Sequence, residues 1–206
     1  MILVGCGASP DSDSAGTESN ADASGTATAT QTASAEPFEL PETCSDLLSL
    51  EAIDAGLGVR ITGTTQYFLG EPLPDIGRTG RVTCFYGVIP NADGTSSPPL
   101  VQAAVFTYDS EQAATDRVET VVSQGRNAGN RTQDVAVGEH SGVIIISVTE
   151  ATLVVAVQER NYSITLAPGL VTDDRLAAAM ASLAESAING GQPVVTTPAP
   201  TTAATS

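Results

Sequence analysis

Residues 141–166 read SGVIIISVTEATLVVAVQERNYSITL, three apolar, β-branched runs separated by short polar breaks. Val143-Ile144-Ile145-Ile146 and Leu153-Val154-Val155-Ala156-Val157 are too short and too rich in Val and Ile for helices. They suit strands covered on both faces. The third run alternates, with Tyr162, Ile164 and Leu166 on one face and Ser163 and Thr165 on the other. Thr149-Glu150-Ala151 and Arg160-Asn161 have the length of hairpin turns, so the three strands are expected to form an antiparallel meander.

Outward from this meander, the chain alternates between helix and strand signals. Thr43-Cys44-Ser45-Asp46 is a cap for a helix through Asp54, with Leu47, Leu50, Ile53 and Leu57 as its apolar stripe and Gly56 or Gly58 as its stop. Gly63 to Gly80 reads as a Gly/Pro-punctuated loop. Arg81 to Ile89 and Leu100 to Tyr108 read as two strands joined through Asn91-Ala92-Asp93-Gly94. Ser110 opens a helix with Ala114, Val118, Val121 and Val122 inward, Glu111, Arg117, Glu119 and Gln124 outward, and Gly125 at its end. Arg126 to Val137 is a polar connection. Thr172 caps a last helix, with Asp173 and Asp174 where its dipole favours them and Leu176, Ala179, Met180, Leu183 and Ala187 as its buried face. The expected fold is α+β: an antiparallel sheet of about five strands with three helices, in the order α-β-β-α-β-β-β-α.

Composition narrows the class of function. The chain has 206 residues and a formal charge of −16. That charge repels nucleic acid and anionic membrane surfaces. All eight basic residues are Arg, which excludes a Walker-type phosphate loop and a Schiff-base lysine. Residues 7–36 are mostly Ala, Ser, Thr, Gly and Asp and cannot bury enough surface to offset the entropy of ordering, so a disordered tether with a reach of about 30 Å is expected. Residues 192–206 form a Thr/Ala/Pro tail of the same kind. The folded domain is then 37–191.

Ahead of the tether, residues 1–6 end in Leu3-Val4-Gly5-Cys6, which resembles a bacterial lipobox. In a lipobox a small residue precedes a cysteine that is lipidated on sulfur and becomes the new N-terminus. Cys6 would then hold the protein to the membrane. A full signal has an apolar stretch of roughly 7–15 residues before the cleavage site. Five residues are present, so either the rest lies upstream of Met1 or the motif is accidental.

With Cys6 assigned to lipid, Cys44 and Cys84 remain, and an even pair in an exported chain is normally disulfide-bonded. A bridge closing a loop of about 40 residues contributes about 4 kcal/mol by chain entropy. The alternatives, a redox pair or metal ligands, lack a CxxC motif and have a single histidine to draw on.

Cys44-x-x-Leu47-Leu48 at a helix start and Leu57-Gly58 at its end form the first part of a pattern. Arg81-Val82-Thr83-Cys84-Phe85-Tyr86 on a strand, and Val137-Gly138-Glu139-His140 ahead of the meander, complete it. Over about residues 40–190 this resembles a family of small actinobacterial cell-envelope lipoproteins of unknown function. That family is similar in layout to the extracellular sensor domains of some actinobacterial kinases. Many members have Asp-Ala after the central glycine and a Trp beside the strand cysteine, where this chain has Glu139-His140 and Phe85-Tyr86. The resemblance implies an anchored extracytoplasmic domain and brings no catalytic residues with it.

Direct signals of chemistry are few. Glu139-His140-Ser141 holds the residue types of a hydrolase triad, but neighbours on an extended chain point in alternating directions and cannot converge. No G-x-S-x-G elbow is present. Gly56-Leu57-Gly58 follows a helix, where a dinucleotide loop follows a strand. Asp173-Asp174 is explained by the helix start. No cofactor or metal motif is legible. The remaining candidate is the loop carrying Tyr67, Phe68, Leu69 and Ile76, since aromatic and aliphatic side chains on a Gly/Pro loop supply contact area for a partner. Two readings follow. One is a non-catalytic binding or sensor-like module whose partner is an envelope protein, a peptide or a small molecule. The alternative is an extracytoplasmic hydrolase using His140 as base.

Overall fold

The computed structural model describes residues 38–194; Cys6, the tract 7–36 and the tail from residue 195 onward lie outside them. The elements are α1 (Cys44–Leu47), α2 (Leu50–Leu57), β1 (Thr64–Gly70), a 3₁₀ turn (Pro74–Ile76), β2 (Arg78–Val88), β3 (Val101–Tyr108), α3 (Glu111–Asn127), β4 (Arg131–Val137), β5 (His140–Ile146), β6 (Ala151–Val157), β7 (Arg160–Leu166) and α4 (Asp173–Ile188). The strands form one antiparallel sheet in the order β1-β2-β3-β7-β6-β5-β4. The α+β class and the antiparallel meander β5-β6-β7 are as the sequence predicts.

Register assigns the faces. Cross-strand partners share a side of the sheet, so Tyr67, Cys84, Ala103, Ile164, Leu153 and Ile144 make one row across it. The next row, one residue along, faces the other way: Phe68, Thr83, Ala104, Ser163, Val154 and Val143. The first side joins the main core, where α1, α2 and α4 bury Leu47, Ile53, Met180 and Leu183 against Val82, Cys84, Tyr162 and Ile164. The second side takes α3, whose Val118, Val121 and Val122 meet Val143, Ile145 and Val154 in a smaller cluster.

The structure departs from the sequence reading in several places, each with a physical reason. The strands number seven, because Thr64–Gly70 and Arg131–Val137, read as a loop and a connection, pair along β2 and β5. The first helix is two. Thr43 caps α1 in a reciprocal capping box with Asp46, and Ser49 caps α2 by accepting from the Ala52 N–H at 3.1 Å. The break turns Leu48 into the core and Leu50 out to solvent, so Leu50 is not part of the buried stripe. Gly125 does not end α3. It lies inside the helix, where any Cβ would collide with Ile145. Thr172 begins α4 without a side-chain cap. The last hairpin turns at Gln158-Glu159, which puts Arg160 and Asn161 into β7.

The α1–α2 break is held from three directions. The Cys44–Cys84 disulfide joins α1 to β2 with Cα atoms 5.6 Å apart. The buried Tyr86 hydroxyl lies 3.0 Å from the Cys44 carbonyl and 2.6 Å from that of Leu48, and donates its one proton between them. The chain beyond α4 returns so that Ser49 N–H donates to the Gly191 carbonyl at 3.0 Å. Gly191 has φ +79° and passes so close to the Ser45 and Asp46 backbone that no side chain fits.

Two predictions follow from this core. Tyr86→Phe removes the donor from two buried carbonyls while preserving the ring, and should cost about 1–3 kcal/mol in urea unfolding with the disulfide intact. A change below about 0.5 kcal/mol would mean that the hydroxyl does not hold the break. Burial also raises the phenols of Tyr86, Tyr108 and Tyr162 above the ordinary 10.0. A phenol that ionises less readily when folded contributes its stability in full below the unfolded value and loses it as pH rises from there through the folded value. Unfolding free energy should stay level up to about pH 10 with respect to these groups and fall above it. Stability that holds or rises between about pH 10 and 12 would contradict this.

Candidate functional site

The two edges of the sheet are built differently. β4 carries Arg131 and Asp134 and presents mostly polar side chains. Charges of this kind blunt an edge against pairing with another strand. β1, TTQYFLG, has no charge at all, and among the described residues it pairs only with β2. Tyr67, Phe68 and Leu69 are 42, 49 and 60% exposed. Leu73, and Ile76 in the 3₁₀ turn, continue the apolar surface. The four residues that the sequence places on one loop thus lie on an edge strand and the turn after it. Strand alternation sends Tyr67 and Leu69 to the α4 side and Phe68 to the α3 side. The Tyr67 hydroxyl donates to the Pro41 carbonyl at 3.0 Å, which fixes that ring against the segment leading into α1.

α3 covers only part of its side of the sheet, and arginine occupies part of the remainder. Arg81 lies across Gly70, where a Cβ would come within 2.5 Å of its Nε, and its guanidinium sits 5.2 Å from the Phe68 ring centre. Arg78 stands 6.0 Å from the Phe106 ring centre and donates to the Glu71 carbonyl at 3.0 Å. Arg117, read from sequence as an outward residue, is half-buried on the sheet-facing side of α3. It lies at i+3 from the buried Ala114, so helical spacing did carry the signal. Among the described residues the one ion pair is Arg60 with Asp54, at 3.3 Å. Arg78, Arg81 and Arg117 therefore pair with no carboxylate.

Arg78 and Arg117 share a cavity of about 120 Å³ between α3 and the sheet, together with Phe106, Tyr108 and Asn161. Burial first, then the charges of Arg81 and Arg117, hold the Arg78 guanidinium below its ordinary value, with Tyr108 acting in the opposite direction. Burial raises the Tyr108 phenol, and Arg117 partly offsets it. A larger recess of about 560 Å³ opens at the other end of the same strands, lined by Ile89, Pro98, Pro99, Leu100 and Pro168, with Glu150 at its edge.

His140 begins β5 and lines a separate recess of about 230 Å³ with Glu139 and Glu185. No Ser or Asp side chain hydrogen-bonds to it among the described residues, and Ser141 follows it on the opposite face of the strand. No group of three or more His, Cys, Asp or Glu gathers among the described residues. Within them no helix is long and apolar enough to cross a membrane. Cys44 and Cys84 are joined in the core.

Comparison with protein families finds no match, and neither does comparison with curated proteins. Among solved structures the chain is similar to the extracellular domain of PknH from Mycobacterium tuberculosis, with 14% identity and a TM-score of 0.44, over 69% of this chain and 92% of that one.

Proposed function

We propose that this protein is an extracytoplasmic, lipid-anchored binding module that acts without catalysis and captures an extended polypeptide on the β1 edge. The observation that carries this reading is the contrast between the two edges. An unpaired edge with three consecutive exposed apolar residues is a template for another strand, and proteins normally protect such edges with charge, as β4 is protected. In strand addition the main chain supplies affinity and alternate side chains supply selectivity. Tyr67 and Leu69 would read one side of the added segment and Phe68 the other. The disulfide supports an oxidising compartment. Leu3-Val4-Gly5-Cys6, followed by a long Ser/Thr/Ala tract, supports attachment through Cys6.

Three experiments test this reading. Protein expressed from its own locus should incorporate a fatty-acid probe, and Cys6→Ser should abolish the labelling; persistent labelling in the variant would refute the anchor. A photo-crosslinking residue at Leu69 of the full chain should give a discrete polypeptide adduct in the cell envelope, and the same residue at Gln133 on β4 should give none. Phe68→Glu should suppress the Leu69 adduct without lowering thermal stability. Equal adducts at both edges, or none at Leu69, would remove the edge reading. Ester, peptide or glycan turnover by the purified chain that is lost on His140→Ala would replace it with a hydrolase.

A further inference from the structure

The cavity under α3 is a site of a different kind from the β1 edge, and its chemistry can be read independently of that edge. Two half-buried guanidiniums, Arg78 and Arg117, line it without a carboxylate partner among the described residues, in a chain with three times as many acids as bases (24 against 8). Arg78 donates only to the Glu71 carbonyl, and leaving a partly desolvated cation without an anion is costly in a chain that has ample carboxylates for a structural role. The planar fork of a guanidinium matches a carboxylate or phosphate in two hydrogen bonds.

Asn161 adds a second requirement. It is 5% exposed and lines the same cavity. Its Nδ2 donates to the Ala114 carbonyl at 3.0 Å. Because that carbonyl can only accept, the amide orientation is fixed and Oδ1 is the remaining atom. Oδ1 is buried and accepts no hydrogen bond among the described residues, with the Tyr108 side chain beside the same amide. A buried acceptor left open calls for a donor. The rest of the wall includes Phe106, Val118 and Val154, which suit a short hydrocarbon. At about 120 Å³ the space is below the range of roughly 300–1,000 Å³ typical of whole drug-sized ligands, so it takes a small molecule or the terminus of a longer one.

We propose that this cavity binds a small carboxylate carrying an adjacent O–H or N–H donor. The carboxylate pairs with Arg78 and Arg117, the donor reaches Asn161 Oδ1, and a short apolar substituent rests on Phe106 and Val154. A free 2-hydroxy acid and the carboxyl end of a peptide share this chemistry. The site is on the α3 side of the sheet, and its occupancy does not depend on a partner at β1.

The test is a titration of the full chain, followed by NMR of the arginine Nε–H and Asn side-chain signals. Lactate stands for the free acid and acetyl-Ala-Ala for the peptide end, with propionate and inorganic phosphate as competitors of simpler chemistry. Saturable shifts with lactate or acetyl-Ala-Ala are expected, and whichever binds more tightly identifies the source. Propionate, lacking the donor, should bind about tenfold more weakly than lactate, the loss that one buried hydrogen bond of about 1.4 kcal/mol represents. Arg117→Gln on the rim of the helix should weaken binding by about tenfold or more while leaving the thermal midpoint within a few degrees. The preference for lactate over propionate is read on the wild-type chain, so it holds even if substitution of the buried Asn161 prevents folding. Absence of saturable shifts with both ligands would overturn the site. So would equal binding of propionate, tighter binding of phosphate, or unchanged affinity in Arg117→Gln.

Discussion

Leu48 and Ser49 interrupt what apolar spacing alone would continue as one helix, and the interruption leaves backbone groups inside the core that need partners. Tyr86 supplies a proton to the carbonyls of Cys44 and Leu48, and Gly191 supplies the acceptor for Ser49. The disulfide holds Cys44 over β2, so that the Tyr86 hydroxyl and those carbonyls meet in one place. The packing of this side of the sheet follows from that junction. It seats α1 over β1, β2 and β3, aims α2 at α4, and ties the segment after α4 back to the α1–α2 link. The two-residue link Leu48-Ser49 could not survive there without these partners, since a helix end buried with unpaired groups costs about 1–3 kcal/mol for each one.

The opposite side of the sheet is finished differently. One helix, α3, packs against β3 to β7, and the β1–β2 part is left to side chains. Arginine suits this because its stem lies along apolar surface and its planar head stacks on rings, which an ammonium does less well. Arg81 on Phe68 and Arg78 on Phe106 take this role. Among the described residues Arg78, Arg81 and Arg160 lie over aromatic rings as covering material. Arg78, Arg81 and Arg117 make a basic, partly apolar recess, while Arg60, Arg126, Arg131 and Arg175 stay on the exposed surface.

How much of this was legible follows from where the information lies. The meander was legible because Val143–Ile146 and Leu153–Val157 are covered on both faces, and such runs announce themselves by composition. The cysteine pair, α3 and α4 were legible from spacing and caps. β1 and β4 were not, because edge strands lack the alternation of buried and exposed residues and owe their extended state to pairing with β2 and β5. Glycines and prolines around Tyr67-Phe68 pointed toward a loop, although the run Thr64-Thr65-Gln66-Tyr67-Phe68-Leu69 was already rich in β-branched and aromatic residues. The break at Leu48 has one local signal, Ser49 as the cap of α2, but the group that satisfies the Leu48 carbonyl is Tyr86, 38 positions away. The cavity was hidden for the same reason. Arg117 did sit on the buried stripe of its helix, but Asn161 looked like a turn residue until the hairpin closed two positions earlier and drew it into β7.

That displacement of the turn bears on function. Gln158 adopts a left-handed φ of 54° so that the hairpin can close at Gln158-Glu159, a conformation uncommon for a residue with a side chain. Closing there puts Asn161 in register with Phe106 and carries its amide under α3, where Ala114 fixes it. Arg160, one residue earlier, is sent to the other side, where it covers Phe38 at 4.3 Å. A turn placed at Arg160-Asn161, as local composition favours, would have left the amide in solvent and the cavity without its acceptor. The groups held away from their ordinary values include three phenols and the Arg78 guanidinium, raised or lowered mainly by burial, and the Asp93 carboxyl, lowered by hydrogen bonds from Thr95 in a turn. A phenol or guanidinium moved in these directions keeps its usual protonation state at neutral pH.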